Sequence, residues 1–120
     1  MDRRLLVVLY ASFIFYLSSQ SSPPDPTPIL SVLLPKWVLT DKLYHIIIYA
    51  GFGLVLYFAL NKIFKHPALM SILFGTLYGI SDELHQIFVP YRTPSPYDLM
   101  ADVVGLLISQ IVIYIGRSIL

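Results

Sequence analysis

A chain of 120 residues that is 57% hydrophobic and 12% charged, with a mean hydropathy of +0.74, holds more apolar side chains than one small core can hide. Soluble domains carry about 25% charged residues, so an ordinary soluble domain is excluded and lipid is left as the solvent for the surplus. The net charge of +1 brings no basic stripe for nucleic acid, and the absence of cysteine excludes disulfide and thiolate chemistry.

The sequence predicts an all-α, polytopic membrane protein, a single domain over residues 1–120 with four transmembrane helices. A helix needs about 20 apolar residues to cross a hydrocarbon core of roughly 30 Å. The first candidate runs from about Leu5 to Ser19, LLVVLYASFIFYLSS, behind Arg3 and Arg4. That opening is also how a cleaved signal peptide begins, but no A-x-A stands in the SSQSS that follows. The expectation is a retained span.

The loop from Gln20 to Thr40 begins with the extended, polar SSPPDPTP and continues as ILSVLLPKWVL. The second part has the pattern of a short interfacial element with Trp37 as its anchor. The second span covers Leu43 to Leu60, the third Ala68 to Val89 and the fourth Leu99 to Ile115. NKIFKHP and PYRTPSP separate them with charge and with proline, which ends helices. Arg3, Arg4, Lys62, Lys65 and Arg117 fall on one side and Lys36, Lys42 and Arg92 on the other. The bias predicts that both termini are cytoplasmic.

In antiparallel order the spans deliver their ionisable residues to one shallow layer. The second starts at the outer face with Asp41, Lys42 and His45, the third ends there with SDELHQ, and the fourth starts there with Asp98 and Asp102. At about 1.5 Å per residue, His45, Glu83 and Asp102 each lie on the order of 5–10 Å inside the boundary. Helical spacing puts Asp41, His45, Tyr49 and Gly53 on one face. It also groups Gly75, Gly79, Glu83 and Gln86, and Asp98, Asp102, Gly105 and Ser109. Asp82 and His85 are expected to point elsewhere. A carboxylate facing acyl chains is costly, so these groups are expected to face inward, with Lys42 or Arg92 as partners. Asp41 and Asp98 also suit helix N-caps, and the tyrosines other than Tyr49 suit packing or an interfacial belt.

These residues form a recognisable set. DKLYHIIIYAGFG and LYGISDELHQIFVPYRTPSPYDLMADVVG resemble the VanZ-like family of bacterial membrane proteins, and the likeness extends over nearly the whole chain. It implies that the family's acidic position is Glu83, its glutamine Gln86, its loop arginine Arg92 and its span-four aspartate Asp98. Asp102 stands where the family often has asparagine, Gly105 one turn on, and Asp41 with His45 matches a D-x-x-x-H of one branch. Tyr91 replaces the usual glycine before the arginine. The family's namesake is associated with low-level teicoplanin resistance, though most members have no link to antibiotics.

The site expected from all this is a ligand-binding pocket in the outer leaflet, made by Asp41, His45, Tyr49, Glu83, Gln86, Arg92, Asp98 and Asp102. Its partners are the lipid bilayer and an amphipathic ligand, either a lipid-linked envelope precursor or a lipoglycopeptide, whose phosphate or carboxylate Arg92 meets. The alternative is an intramembrane enzyme with Glu83, His45 and Asp102 as candidate acid and base groups. A metal variant would draw on His45, Glu83, Asp102 and His85, but no H-E-x-x-H spacing supports it. The expectation is therefore no metal and no cofactor. A transporter fits less well, because the polar layer stops in the outer half. The sequence leaves the oligomeric state open.

Overall fold

The structure, a computed structural model, describes residues 2–19, 41–90 and 95–119, with Asp41 as backbone only. The expected interfacial element with Trp37, and Arg92, lie outside the described residues. Those residues form four helices and no strand: α1 (Arg3–Ser18), α2 (Asp41–Leu60), α3 (Pro67–Gln86) and α4 (Pro96–Ile119).

Local chemistry sets the helix ends. The Asp2 carboxylate accepts the Arg4 amide at 2.9 Å and caps α1. Pro67 opens α3 at a position where its missing N–H costs nothing. The end of α3 winds down through turn bonds from the Phe88 amide to His85 O and from the Val89 amide to Gln86 O. It therefore stops three residues before Val89, the expected end. The Ser95 hydroxyl accepts the Tyr97 amide at 3.1 Å, which makes Ser95 the cap of α4. Asp98, expected at that cap, stands instead in the first helical turn and is buried.

The bundle is apolar outside and polar within. Leu54, Phe58, Leu69, Leu73, Leu77, Val104, Leu107 and Ile111 face outward, whereas Ser71, Gln86, Asp98, Asp102 and Ser109 are buried. Water would favour the reverse, so lipid accounts for this distribution. Two helices, α2 from Lys42 onward and α4, are long and apolar enough to cross a membrane. At 16 residues α1 is short, and α3 is diluted by serine, glycine and SDELHQ.

A small apolar core of Ile14, Tyr49, Phe52, Leu56 and Leu106 joins α1, α2 and α4, and the partly buried Ile72 and Tyr78 pack α3 against it. Phe52 stacks on Tyr10 with ring centroids 5.7 Å apart. The Tyr10 hydroxyl donates to Ile48 O at 2.6 Å, and the Tyr78 hydroxyl donates to Ala11 O at 2.5 Å, so α1 is fixed to both α2 and α3. A Tyr10→Phe variant, which keeps the stack and deletes one bond, should lose about 1 kcal/mol. Denaturant titration in detergent checks it.

The α2–α4 pair packs most intimately. Gly105 lies against the backbone of Ile46 and Ala50, and the Gln110 amide donates to Gly53 O at 3.2 Å. Across α3, Gly75 receives the Leu106 side chain and Gly79 sits beside Asp102. Small residues allow this approach. At the far end of the bundle Arg3 donates to Phe58 O and Asn61 Oδ1, both at 3.1 Å, and Arg117 donates to the Tyr57 hydroxyl. The start of α1 and the ends of α2 and α4 thus share one basic end, opposite the acidic one.

Candidate functional site

The acidic end is assembled from α2, α3 and α4, each contributing the residue that its helical register turns inward. On α2, His45 and Tyr49 are one turn apart and 3% and 1% exposed. On α4, Asp98 and Asp102 are likewise one turn apart and 1% and 0% exposed. The two helices meet in pairs. Lys42 Nζ reaches Asp98 Oδ1 at 2.8 Å, with Lys42 half exposed. One turn deeper, His45 Nδ1 and Asp102 Oδ1 share a short hydrogen bond of 2.6 Å with both side chains buried. The outer pair retains some solvent at the lysine, which weakens its attraction, whereas the inner pair is shielded from screening.

The third helix departs from the expected face. Its buried positions are Ser71, Gly75, Gly79, Asp82 and Gln86. Asp82, expected to point away, lies on this stripe, and the Tyr49 hydroxyl donates to its Oδ2 at 3.3 Å. The reason is angular. At about 100° per residue, Asp82 falls about 40° from the middle of the Gly75–Gly79–Gln86 stripe, and Glu83 falls about 60° away on the other side. Both reach the cluster, Asp82 directly and Glu83 from the flank with its longer chain.

Glu83 is half-buried. Its Oε2 accepts the Ser95 amide at 3.1 Å, which ties the end of α3 to the start of α4. His85 turns the opposite way, as expected. Its ring stacks on Phe15 at 4.6 Å, and its Nε2 shares a hydrogen bond of 3.0 Å with Ser19 Oγ.

His45, Asp82, Glu83 and Asp102 therefore stand together, each with one nitrogen or carboxylate oxygen within 4.8 Å of the others. Two oxygens in the group, Asp102 Oδ2 and Glu83 Oε1, are buried without a hydrogen-bond partner. Beside the cluster is a cavity of ≈ 10 Å³ lined by Ser18, Tyr44, His45, Tyr49, Asp82 and Gln86. That is about the room one water needs. Ser18 is a polar lining residue that sequence reasoning passed over, because α1 reaches the site only through its tertiary packing. Tyr44, read from the sequence as a packing or belt residue, also lines the cavity.

The arrangement offers an imidazole held by a carboxylate, a second carboxylate and a phenol, all buried, with the half-buried Glu83 carboxylate at its flank. Such a set can hold a proton, orient a small polar group or ligate a cation. The sequence model of the VanZ/LLP1 family matches residues 5–117, which include all four helices apart from a few terminal residues and every member of the cluster. The chain belongs to the VanZ/LLP1 family. No curated protein and no solved structure matches it. Family membership and the two apolar helices α2 and α4 make this VanZ/LLP1 chain a membrane protein.

Proposed function

We propose that this VanZ/LLP1 protein crosses the membrane four times and binds the polar headgroup of an amphipathic envelope component at its acidic end. Both termini lie in the cytoplasm in this reading. The observation that carries it is the convergence of His45, Asp82, Glu83 and Asp102 from three helices inside a bundle whose outer surface is apolar.

The orientation rests on charge. Arg3, Arg4, Lys62, Lys65 and Arg117 belong to the basic end, which the positive-inside rule assigns to the cytoplasm. The acidic end then lies at headgroup depth in the outer leaflet. Because the cavity beside His45 holds about one water, an acyl chain or sugar lies outside it, along the lipid-facing grooves. Only a small polar group reaches the cluster. Arg92, two residues past the Pro90 that follows α3, supplies a cation for a phosphate or carboxylate. A lipid-linked precursor and a lipoglycopeptide such as teicoplanin both combine an acyl anchor with such a headgroup.

A second reading, an intramembrane acid–base enzyme, draws on the His45–Asp102 contact at 2.6 Å. A carboxylate that fixes the tautomer and orientation of an imidazole is how hydrolases prepare a base. Glu83 would then serve as the second acid or base.

Native mass spectrometry of the protein in nanodiscs made from a total envelope-lipid extract separates these readings. The wild type should retain a lipid-linked species that Glu83→Gln and Arg92→Ala release at least tenfold more readily. Conversion of the retained species with time would favour the enzyme. A wild type that retains no species beyond bulk lipid would overturn the headgroup reading.

A further inference from the structure

We propose that His45, Asp82, Glu83 and Asp102 form a binding site for one divalent transition-metal cation, Mn²⁺ or Zn²⁺. The geometry is the first ground. One donor atom from each residue lies within 4.8 Å of the other three. Adjacent ligands about 2.0–2.2 Å from such an ion stand roughly 3–3.6 Å apart. Side-chain shifts of about an ångström therefore bring all four into one coordination sphere.

The second ground is the pair of orphan oxygens. Asp102 is wholly buried, yet its Oδ2 has no hydrogen-bond partner, and neither has the buried Glu83 Oε1. A buried carboxylate oxygen left in this way calls for an ion, a proton or a water. The third ground is charge. Among the described residues, three carboxylates stand beside one imidazole, and the ammonium of Lys42 pairs with Asp98. Like charges this close disfavour one another unless a cation joins them.

The surroundings are those of a prepared ligand set. The Ser95 amide holds Glu83 Oε2, and the Tyr49 hydroxyl holds Asp82 Oδ2. Such outer contacts orient ligands and raise affinity. The imidazole disfavours Ca²⁺ and Mg²⁺, which prefer oxygen, and the three carboxylates suit Mn²⁺ or Zn²⁺. Helical bundles build such sites from facing helices, so the missing local H-E-x-x-H spacing carries no weight against it. With the cation in place, the ion would offer a coordination position to a phosphate oxygen, while the three carboxylates leave the site as a whole with a charge of about −1. That last step rests on the headgroup reading; the cation site itself does not.

The test uses the full chain in detergent without added lipid, stripped with EDTA and titrated with MnCl₂ or ZnCl₂. About one equivalent should remain after gel filtration, by elemental analysis, with equal MgCl₂ or CaCl₂ failing to compete. Asp82→Asn and His45→Gln should each lower affinity at least tenfold. Because either variant could fail to fold, Mn²⁺ bound to the wild type is also read by electron spin-echo modulation. It should show ¹⁴N coupling from a coordinated imidazole that persists in the His66→Gln, His85→Gln double variant. Less than about a tenth of an equivalent on the wild type, bound Mn²⁺ without ¹⁴N coupling, or undiminished affinity in folded Asp82→Asn would each overturn the proposal.

Discussion

Gly105→Ala is expected to loosen the α2–α4 contact and to destabilise the protein by about 3 kcal/mol, at the upper end of overpacking costs. An added Cβ would press on Ile46 O and stand 2.9 Å from the Ala50 nitrogen. Both are backbone atoms, so no rotamer change relieves the clash and the helices must part. Gly75 is more forgiving, because it meets the end of the Leu106 side chain, which can move. Gly53 is not, because the Ser109 Cβ would stand 2.9 Å from the added methyl. Gly116 has nothing within 4 Å, so Gly116→Ala should stabilise by about 0.5–1 kcal/mol through helix propensity alone.

The consequence of Gly105→Ala extends to the site. Ile46 follows His45 directly, and Gly105 lies one turn from Asp102, so parting the helices here also stretches the 2.6 Å His45–Asp102 bond. Chemical denaturation of the two variants in the same detergent checks the contrast. Equal stability of Gly105→Ala and Gly116→Ala would show that the α2–α4 interface is looser than the structure has it.

Depth was the most legible property of this site, because rise per residue is arithmetic. His45, Asp98 and Asp102 reach one layer as their positions from the helix starts dictate, and their faces follow from spacing alone. Direction was legible only to within about a quarter turn. Taking Gly75, Gly79 and Glu83 as one stripe follows the i, i+4 rule, yet repeated steps of four drift by about 40° each. That drift carries Glu83 to the flank and brings Asp82 inward. Asp98 shows a similar limit of one turn: an aspartate before an apolar run looks like a cap, but Ser95 two residues before Tyr97 takes that role.

What depends on three helices meeting was legible only in part. The placement of His85 against Phe15 and Ser19 follows from the crossing of α1 over α3, for which the sequence holds no local signal. Of the four-residue cluster, His45, Glu83 and Asp102 were legible from depth and face, and Asp82 was not. Metal-ligand motifs are readable when two donors sit on one helix turn; here α2 and α4 give one donor each and α3 gives adjacent ones.

The Asp102 pair of substitutions separates structural from functional roles most sharply. Asp102→Ala should cost about 3 kcal/mol, because it strips a buried imidazole of its hydrogen-bond acceptor and leaves a void. Asp102→Asn should cost less than about 1 kcal/mol. Its amide carries both an acceptor and donors, so it satisfies His45 Nδ1 in either tautomer, through a bond somewhat longer than the wild-type 2.6 Å. Gly79 already accommodates this side chain, with its Cβ position 3.2 Å from Asp102 Oδ2. The amide has nearly the volume of the carboxylate, so packing there is unchanged. What Asn removes is charge, and with it one anionic ligand. If the cluster exists to bind, Asp102→Asn keeps its melting transition within a few degrees of the wild type but loses at least tenfold in affinity for its ligand. If the cluster only fixes helix packing, the asparagine variant behaves like the wild type in every binding assay while the alanine variant unfolds early. Differential scanning calorimetry and ligand titration on one preparation of each variant decide between these outcomes, since only in the first case does the stable asparagine variant lose binding.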